Sequence, residues 1–381
     1  MKKTIFDLFS CALRNNVILA NNNLSRSSWN HLFELATKHD LAHLVGYALK
    51  TSGIQIDADA QKDFERAMDM AMFRYVKLNH ELEQITQTFS QAQIRFIPLK
   101  GSVIRKYYKE PWLRTSSDVD VLVDADNFER AKQLLMDQLD YAPVTTCNHD
   151  ISFLTPNKIH VELHHILIIA DAPVERVTST VWERSAPSAL NPFCYEMSDE
   201  MYYFYHMAHM AKHFENGGCG IRPFLDVWVL NHSFDFDQQK RYELLDAAGL
   251  VPFAKAAEDL SEVWLSDRAH THLTYDLECY TVHGGTYGTI GNRVVVQQVI
   301  LGSKFSYLLS RIFLPFHELK EKYPQLEKRK WLYPFYQVKR WFRFFKKEKF
   351  KQSISEAKAT SAVSAEQNQR AARLLRDLGL Q

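Results

Sequence analysis

KGSVIRKYYKEPWLRTSSDVDVLVD, residues 100–124, decides how the rest of the chain is read, because it joins two site fragments through a short helix. Asp118 and Asp120 stand two apart in a run of Val119, Val121, Leu122 and Val123. Such a run favours a strand, and a strand sends residues i and i+2 to the same face. Two carboxylates then stand side by side, and a folded protein keeps both ionised chiefly when a cation lies between them. Hard divalent ions prefer carboxylate oxygen, so a pair of Mg2+ ions is the expected guest, with Mn2+ as the alternative.

The pattern before the stretch is helical. Ile5, Leu8, Phe9, Ala12 and Leu13 recur at helical spacing, as do Phe64, Met68, Tyr75, Leu78, Leu82, Ile85 and Phe89. Asn21 to Ser28 reads as a loop, with Ser27 or Ser28 the expected cap of the next helix. At Ile94 to Pro98 the pattern shortens to strand length, and Lys100-Gly101-Ser102 turns the chain into a helix over Val103 to Tyr108. A strand over Asp118 to Val123 and a helix from Phe128 to Leu139 follow. Ile151 to Leu154 and Ile159 to Ile168 form a hairpin around Thr155 to Lys158. From Ser198 the chain is helical again, broken by Gly217 to Gly220 and by a glycine-rich loop at His283 to Gly288, expected to be mobile.

These elements describe an α+β fold, a small mixed sheet flanked by N-terminal and C-terminal helical regions. The expected division is a helical region over 1–90, a core over 91–197, a second helical region over 198–351 and a flexible linker with a terminal helix over 352–381.

Period-2 alternation in Ile159-His160-Val161-Glu162-Leu163-His164 puts His160, Glu162 and His164 on one face and the aliphatic residues on the other. Glu162 is therefore the candidate third acid. Two ions held by three carboxylates can clamp the attacking and leaving oxygens of an in-line phosphoryl displacement. Gly101 lets backbone amides approach a phosphate, and Ser102 adds a hydroxyl donor. Lys100 or Arg114 can then meet the outer phosphates, Arg with a bidentate grip and Lys as a point charge.

Gly-Ser, a spacer, Asp-x-Asp among apolar neighbours and a later acid on a strand resemble the nucleotidyltransferase fold of DNA polymerase beta. Leu99 to Ser102, Arg114 before Ser117-Asp118-Val119-Asp120, and Val161 to His164 resemble the group called uncharacterised nucleotidyltransferases, or nucleotidyltransferase family 5. Further segments, among them Arg222 to Asp226, Gly285 to Gly288 and Phe313 to Pro315, extend the likeness over roughly Leu78 to Lys347. The resemblance implies that Asp118, Asp120 and Glu162 hold metal and carry catalysis, and that Gly101 and Ser102 form the nucleotide-phosphate turn; Lys100, Arg114 and Ser117 are the further candidates for binding nucleotide. It implies an NTP substrate, ATP by expectation, and a transferred nucleoside monophosphate. Glu162 stands where many members of the wider superfamily have Asp.

Other signals are weaker. His209 and His213 are four apart on a helix, but H-x-x-x-H without an internal Glu lacks the metalloprotease base, so lining a pocket is the better reading, as for His164 and Arg222. Arg222 and Asp226 are an i, i+4 pair for which a surface salt bridge is the default. The segment 331–351, with Trp331, Tyr333, Phe335, Tyr336, Lys339, Arg340, Trp341, Arg343, Phe344, Lys346 and Lys347, reads first as packing with a solvated basic face. Its sharper reading is weak contact with a membrane surface or RNA.

At 381 residues, 46% hydrophobic and 13% aromatic, the chain supports real cores, and a formal net charge of +1 argues against a globally basic nucleic-acid binder. Five cysteines with no C-x-x-C pair fit a reducing cytoplasm, and Asp7 and Arg14 interrupt any signal sequence. The expected activity is nucleotidyl transfer to an acceptor hydroxyl, with the acceptor open between a protein side chain, an RNA end, a sugar and a small molecule. The readings outside it are a non-catalytic nucleotide-binding module and a membrane-associated or RNA-associated partner protein.

Overall fold

A computed structural model describes residues 2–14, 25–146, 150–266, 268–286, 288–316, 319–320, 323–343 and 364–380. The expected loop at Asn21 to Ser28 falls partly outside these residues, as do Tyr287 of the glycine-rich loop and Phe344, Lys346 and Lys347. The expected linker before Ser364 falls wholly outside them.

Four helices open the chain: α1 (Lys2–Arg14), α2 (Arg26–Lys38), α3 (Ala42–Ser52) and α4 (Ala58–Gln91). The cap of α2 is Ser25 rather than Ser27 or Ser28. Ser25 has extended backbone and accepts from Ser28 N–H, which leaves the later serines inside the first turn. Asp57 caps α4 in the same way. Ala60 and Phe64 of α4 join one core with α1 to α3, whereas Leu78, Ile85 and Phe89 pack on the sheet. This long helix thus fastens the N-terminal helices to the strands.

The strands are β1 (Phe96–Pro98), β2 (Asp118–Val123), β3 (Ala142–Thr146), β4 (Asp150–Leu154), β5 (His160–His164), β6 (Ser185–Ser188) and β7 (Asn191–Met197). They form one sheet in the order β3-β4-β5-β2-β1-β7-β6. Pairs β2/β5 and β1/β7 are parallel and the other pairs antiparallel, so the sheet is mixed as expected. The hairpin β4/β5 also matches the sequence reading, although β5 ends at His164. Leu167 and Ile168 leave the sheet to join the helical core. The strands not anticipated contain Pro143, Pro187 and Pro192; β3 and β6 are the two edges, where a missing N–H is tolerated.

Val119, Val121, Val123, Val161 and Leu163 point into a core shared with α4 and with α6 (Phe128–Leu139). Leu122, Ile97 and Leu99 face the other way, into a core shared with α7 (Ala172–Thr178) and with α8 (Asp199–Glu215), whose cap is Ser198. The alternation leaves Asp118, Asp120, Glu162 and His164 on that second face. Between β1 and β2 the expected helix is only α5 (Gly101–Ile104) followed by a 3-10 turn over Arg105–Tyr107. The turn ends because Tyr108 becomes extended (φ −81°, ψ 149°) and its hydroxyl donates to Asp226 at 2.7 Å. Helices α9 (Arg222–Ser233), α10 (Gln238–Ala247), α11 (Val251–Leu265) and α12 (His272–Gly284) complete the second layer. Among the described residues no helix is long and apolar enough to cross a membrane.

Candidate active site

The parallel ladder between β2 and β5 fixes the acids. Asp120 stands directly opposite Glu162, and Asp118 opposite His160. Asp118 and Glu162 line a cavity of about 370 Å³ between the sheet and α8, while Asp120 lies behind them, 2% exposed. Potential ligand atoms of Asp120, Glu162 and His164 lie within 4.8 Å of one another, and the two carboxylates among them suit a hard divalent cation.

Positive groups already attend these acids. Lys100 Nζ donates to Asp120 Oδ1 at 2.6 Å and lies 3.8 Å from Glu162 Oε2. His164 Nε2 donates to the same Asp120 oxygen at 3.0 Å and lies 3.4 Å from Glu162 Oε2. Burial opposes the charge on Asp120, but Lys100 and His164 overrule it and hold its carboxyl far below the usual range. Burial would also make His164 less basic, yet its hydrogen bonds to Asp120 and Glu162 raise its pKa to about 9. At Asp118 burial, then the Asp120 charge, outweigh the Lys100 charge and push the carboxyl up to about 6.

Lys100 and Gly101 form the turn at the mouth of α5. Leu99 N–H donates to the Asp120 carbonyl at 3.0 Å, and Tyr202 OH donates to the Lys100 carbonyl at 2.8 Å. A Cβ on Gly101 would lie 2.9 Å from both Cβ and Oγ of Ser116, so only glycine fits there without a shift. Gly101 lines the cavity together with Ser116 and Ser117. Ser102 instead borders a smaller cavity on the other side of the turn, and its Oγ is buried without a hydrogen-bond partner.

Arg114 also borders the cavity, but its guanidinium forks onto Asp226. Arg222 ties Asp40 (3.0 Å) and the Thr115 carbonyl (3.1 Å) together, and Arg74 reaches the same Asp40. The i, i+4 pair between Arg222 and Asp226 is therefore replaced by two longer-range pairs. Asp226 is fully buried and points at Arg114, while Arg222 turns outward to the end of α2. Neither Asp40 nor Asp226 carried a local signal for this role.

From α8 the cavity receives Tyr202, Tyr205, His206, His209 and His213. His209 and His213 hydrogen-bond to each other through Nε2 at 3.2 Å. Burial, then the Lys100 charge, keeps both neutral, His213 with a pKa of about 4. The structure thus brings His164, His209, His213 and Arg222 to the same cavity as the acids. Tyr202, Tyr205 and His206 were missed as site residues, although their spacing with His209 and His213 marks one helix face.

Trp331 and Phe335 are exposed, whereas Tyr333 and Tyr336 pack against a small cluster of Leu314, Leu319, Tyr323 and Leu326. None of the described residues of this segment lines the cavity.

No curated protein gives a significant match to the chain. The family model described as "Uncharacterised nucleotidyltransferase" matches residues 25–266, which include β2, β5, the Lys100-Gly101 turn and α8. With three carboxylates gathered on one sheet face beside a glycine turn, and the greater part of the chain matched, this protein belongs to the family of uncharacterised nucleotidyltransferases.

Proposed function

We propose that the protein transfers a nucleoside monophosphate from an NTP, with ATP the favoured nucleotide, to an acceptor hydroxyl in a magnesium-dependent reaction. The observation that carries this reading is the register of Asp120 against Glu162 on one sheet face, with Asp118 two residues away and open to the same cavity. Asp118, Asp120 and Glu162 would hold magnesium, which when bound supplies Lewis-acid stabilisation of charge on the phosphates.

Gly101, against which Ser116 packs so closely that only glycine fits, brings the Lys100-Gly101 turn onto the cavity wall, where its backbone would meet the phosphate chain. Ser117 lines the same wall and is exposed, so its hydroxyl is available there. Arg114, held by Asp226, positions the turn rather than reaching out to the outer phosphates. The acceptor hydroxyl loses its proton to Glu162, its oxygen bonds to the α-phosphorus, and the bond to the bridging oxygen breaks to release pyrophosphate. The four cysteines among the described residues are free, which supports a reducing cytoplasmic setting.

Calorimetry with ATP tests the site. Binding should weaken at least tenfold when magnesium is removed, or when Asp118→Asn and Glu162→Gln are combined. Binding unchanged by both would place the nucleotide elsewhere.

A further inference from the structure

The acid cluster contains a cation of its own. Asp120 Oδ1 accepts from Lys100 Nζ at 2.6 Å and from His164 Nε2 at 3.0 Å. A carboxylate oxygen has two lone-pair sites, so this atom is fully used. In a two-ion site a carboxylate shared between the ions gives one oxygen to each, and Asp120 has only Oδ2 to give. Lys100 Nζ is also 3.8 Å from Glu162 Oε2, the distance of an ion pair.

The backbone points the same way. Lys100 has φ 47° and ψ −124°, a conformation that favours glycine and strains a residue that bears a side chain. It is fixed from two sides, by Leu99 N–H on the Asp120 carbonyl and by Tyr202 OH on the Lys100 carbonyl. Such clamping directs the side chain inward, and its side chain is only 26% exposed. An ammonium withdrawn to meet outer phosphates would leave the Asp120 carboxylate short of its closest counter-charge, at high cost for a buried charge.

Resting on the nucleotidyltransferase reading above, we propose that the site takes one divalent ion per chain and that the Lys100 ammonium occupies the place of the second. Lys100 leaves at most two net negative charges on Asp118, Asp120 and Glu162, which one divalent ion neutralises. Asp118 and Glu162, both facing the cavity, and the remaining Asp120 oxygen are the groups available to hold it. Lys100 is then a permanent positive charge beside the reacting phosphates, one that chelation does not remove.

Counting bound Mn2+ by electron paramagnetic resonance, in complex with an ATP analogue methylene-bridged between its α and β phosphorus atoms, tests this without turnover. Protein is kept in excess so that every nucleotide is bound. Wild type should saturate at one Mn2+ per complex, Lys100→Arg also at one, and Lys100→Ala at two. Two ions in wild type would overturn the proposal and leave the nucleotidyltransferase reading intact, a result that needs no variant to fold. One ion in a folded Lys100→Ala variant would equally overturn it. No bound Mn2+ in any complex would remove the metal-site reading together with the proposal.

Discussion

Arg114 donates through Nε and Nη2 to both carboxylate oxygens of Asp226, at 2.8, 3.0 and 2.8 Å, across 112 residues of sequence. Asp226 is fully buried and the Arg114 side chain nearly so, and Tyr108 OH also donates to the carboxylate. The pair locks the β1–β2 connection, which carries the Lys100-Gly101 turn, to α9. Asp226→Ala would leave the guanidinium buried and unpaired, and should destabilise the fold by about 3–5 kcal/mol. Chemical denaturation reads this directly; a loss below about 1 kcal/mol would mean that Arg114 finds another partner.

Asp118 gives the opposite sign. Its carboxyl is raised from the ordinary range to about 6 by burial first and by Asp120 second. A raised folded-state pKa stabilises the metal-free protein below the unfolded value of about 4, and that contribution is lost as pH rises through about 6. Asp118→Asn should therefore stabilise the metal-free protein at pH 8 by about 1–3 kcal/mol and have little effect near pH 4, while abolishing activity. Thermal unfolding at the two pH values checks both halves.

Gly101 is a steric requirement. A methyl there would meet Ser116 Cβ and Oγ at 2.9 Å, so Gly101→Ala should cost about 1–3 kcal/mol and displace the turn. Ser116→Gly in the same chain removes both clashing atoms and should recover most of the loss, an interaction that a double-mutant cycle measures. Additive losses would show that the clash is relieved elsewhere.

Ligand linkage offers a further check. Magnesium and ATP together at about a hundred times their dissociation constant should stabilise wild type by about 2.7 kcal/mol. Glu162→Gln should lose most of that gain while unfolding normally without ligand, because Glu162 is partly exposed and its ion-pair partners also bind Asp120. An undiminished gain in the variant would remove Glu162 from the metal site.

The acids were legible because strand periodicity is short-range. Alternation alone placed Asp118 with Asp120 and Glu162 with His164, and β2/β5 pairing then set Asp120 against Glu162. The edge strands β3 and β6 were hidden by Pro143 and Pro187, residues that argue against strands except at edges. The framing ion pairs were hidden for a different reason. Arg222 and Asp226 satisfy the i, i+4 rule, yet each takes a partner more than a hundred residues away, and no local spacing encodes that choice. Ser102 illustrates the same limit: sequence places it beside Gly101, but it borders a different cavity and its hydroxyl is buried.

The central claim is nucleotidyl transfer, and parallel incubations with ATP labelled at the α-phosphate or at the γ-phosphate test it most directly. Magnesium, cell lysate as the source of acceptor, and wild type or Asp118→Ala/Asp120→Ala protein complete the reaction. Label from the α position alone should become attached to an acceptor, with pyrophosphate released, and the double variant should show none. Transfer of the γ label, or α-label transfer undiminished in the double variant, would contradict the claim.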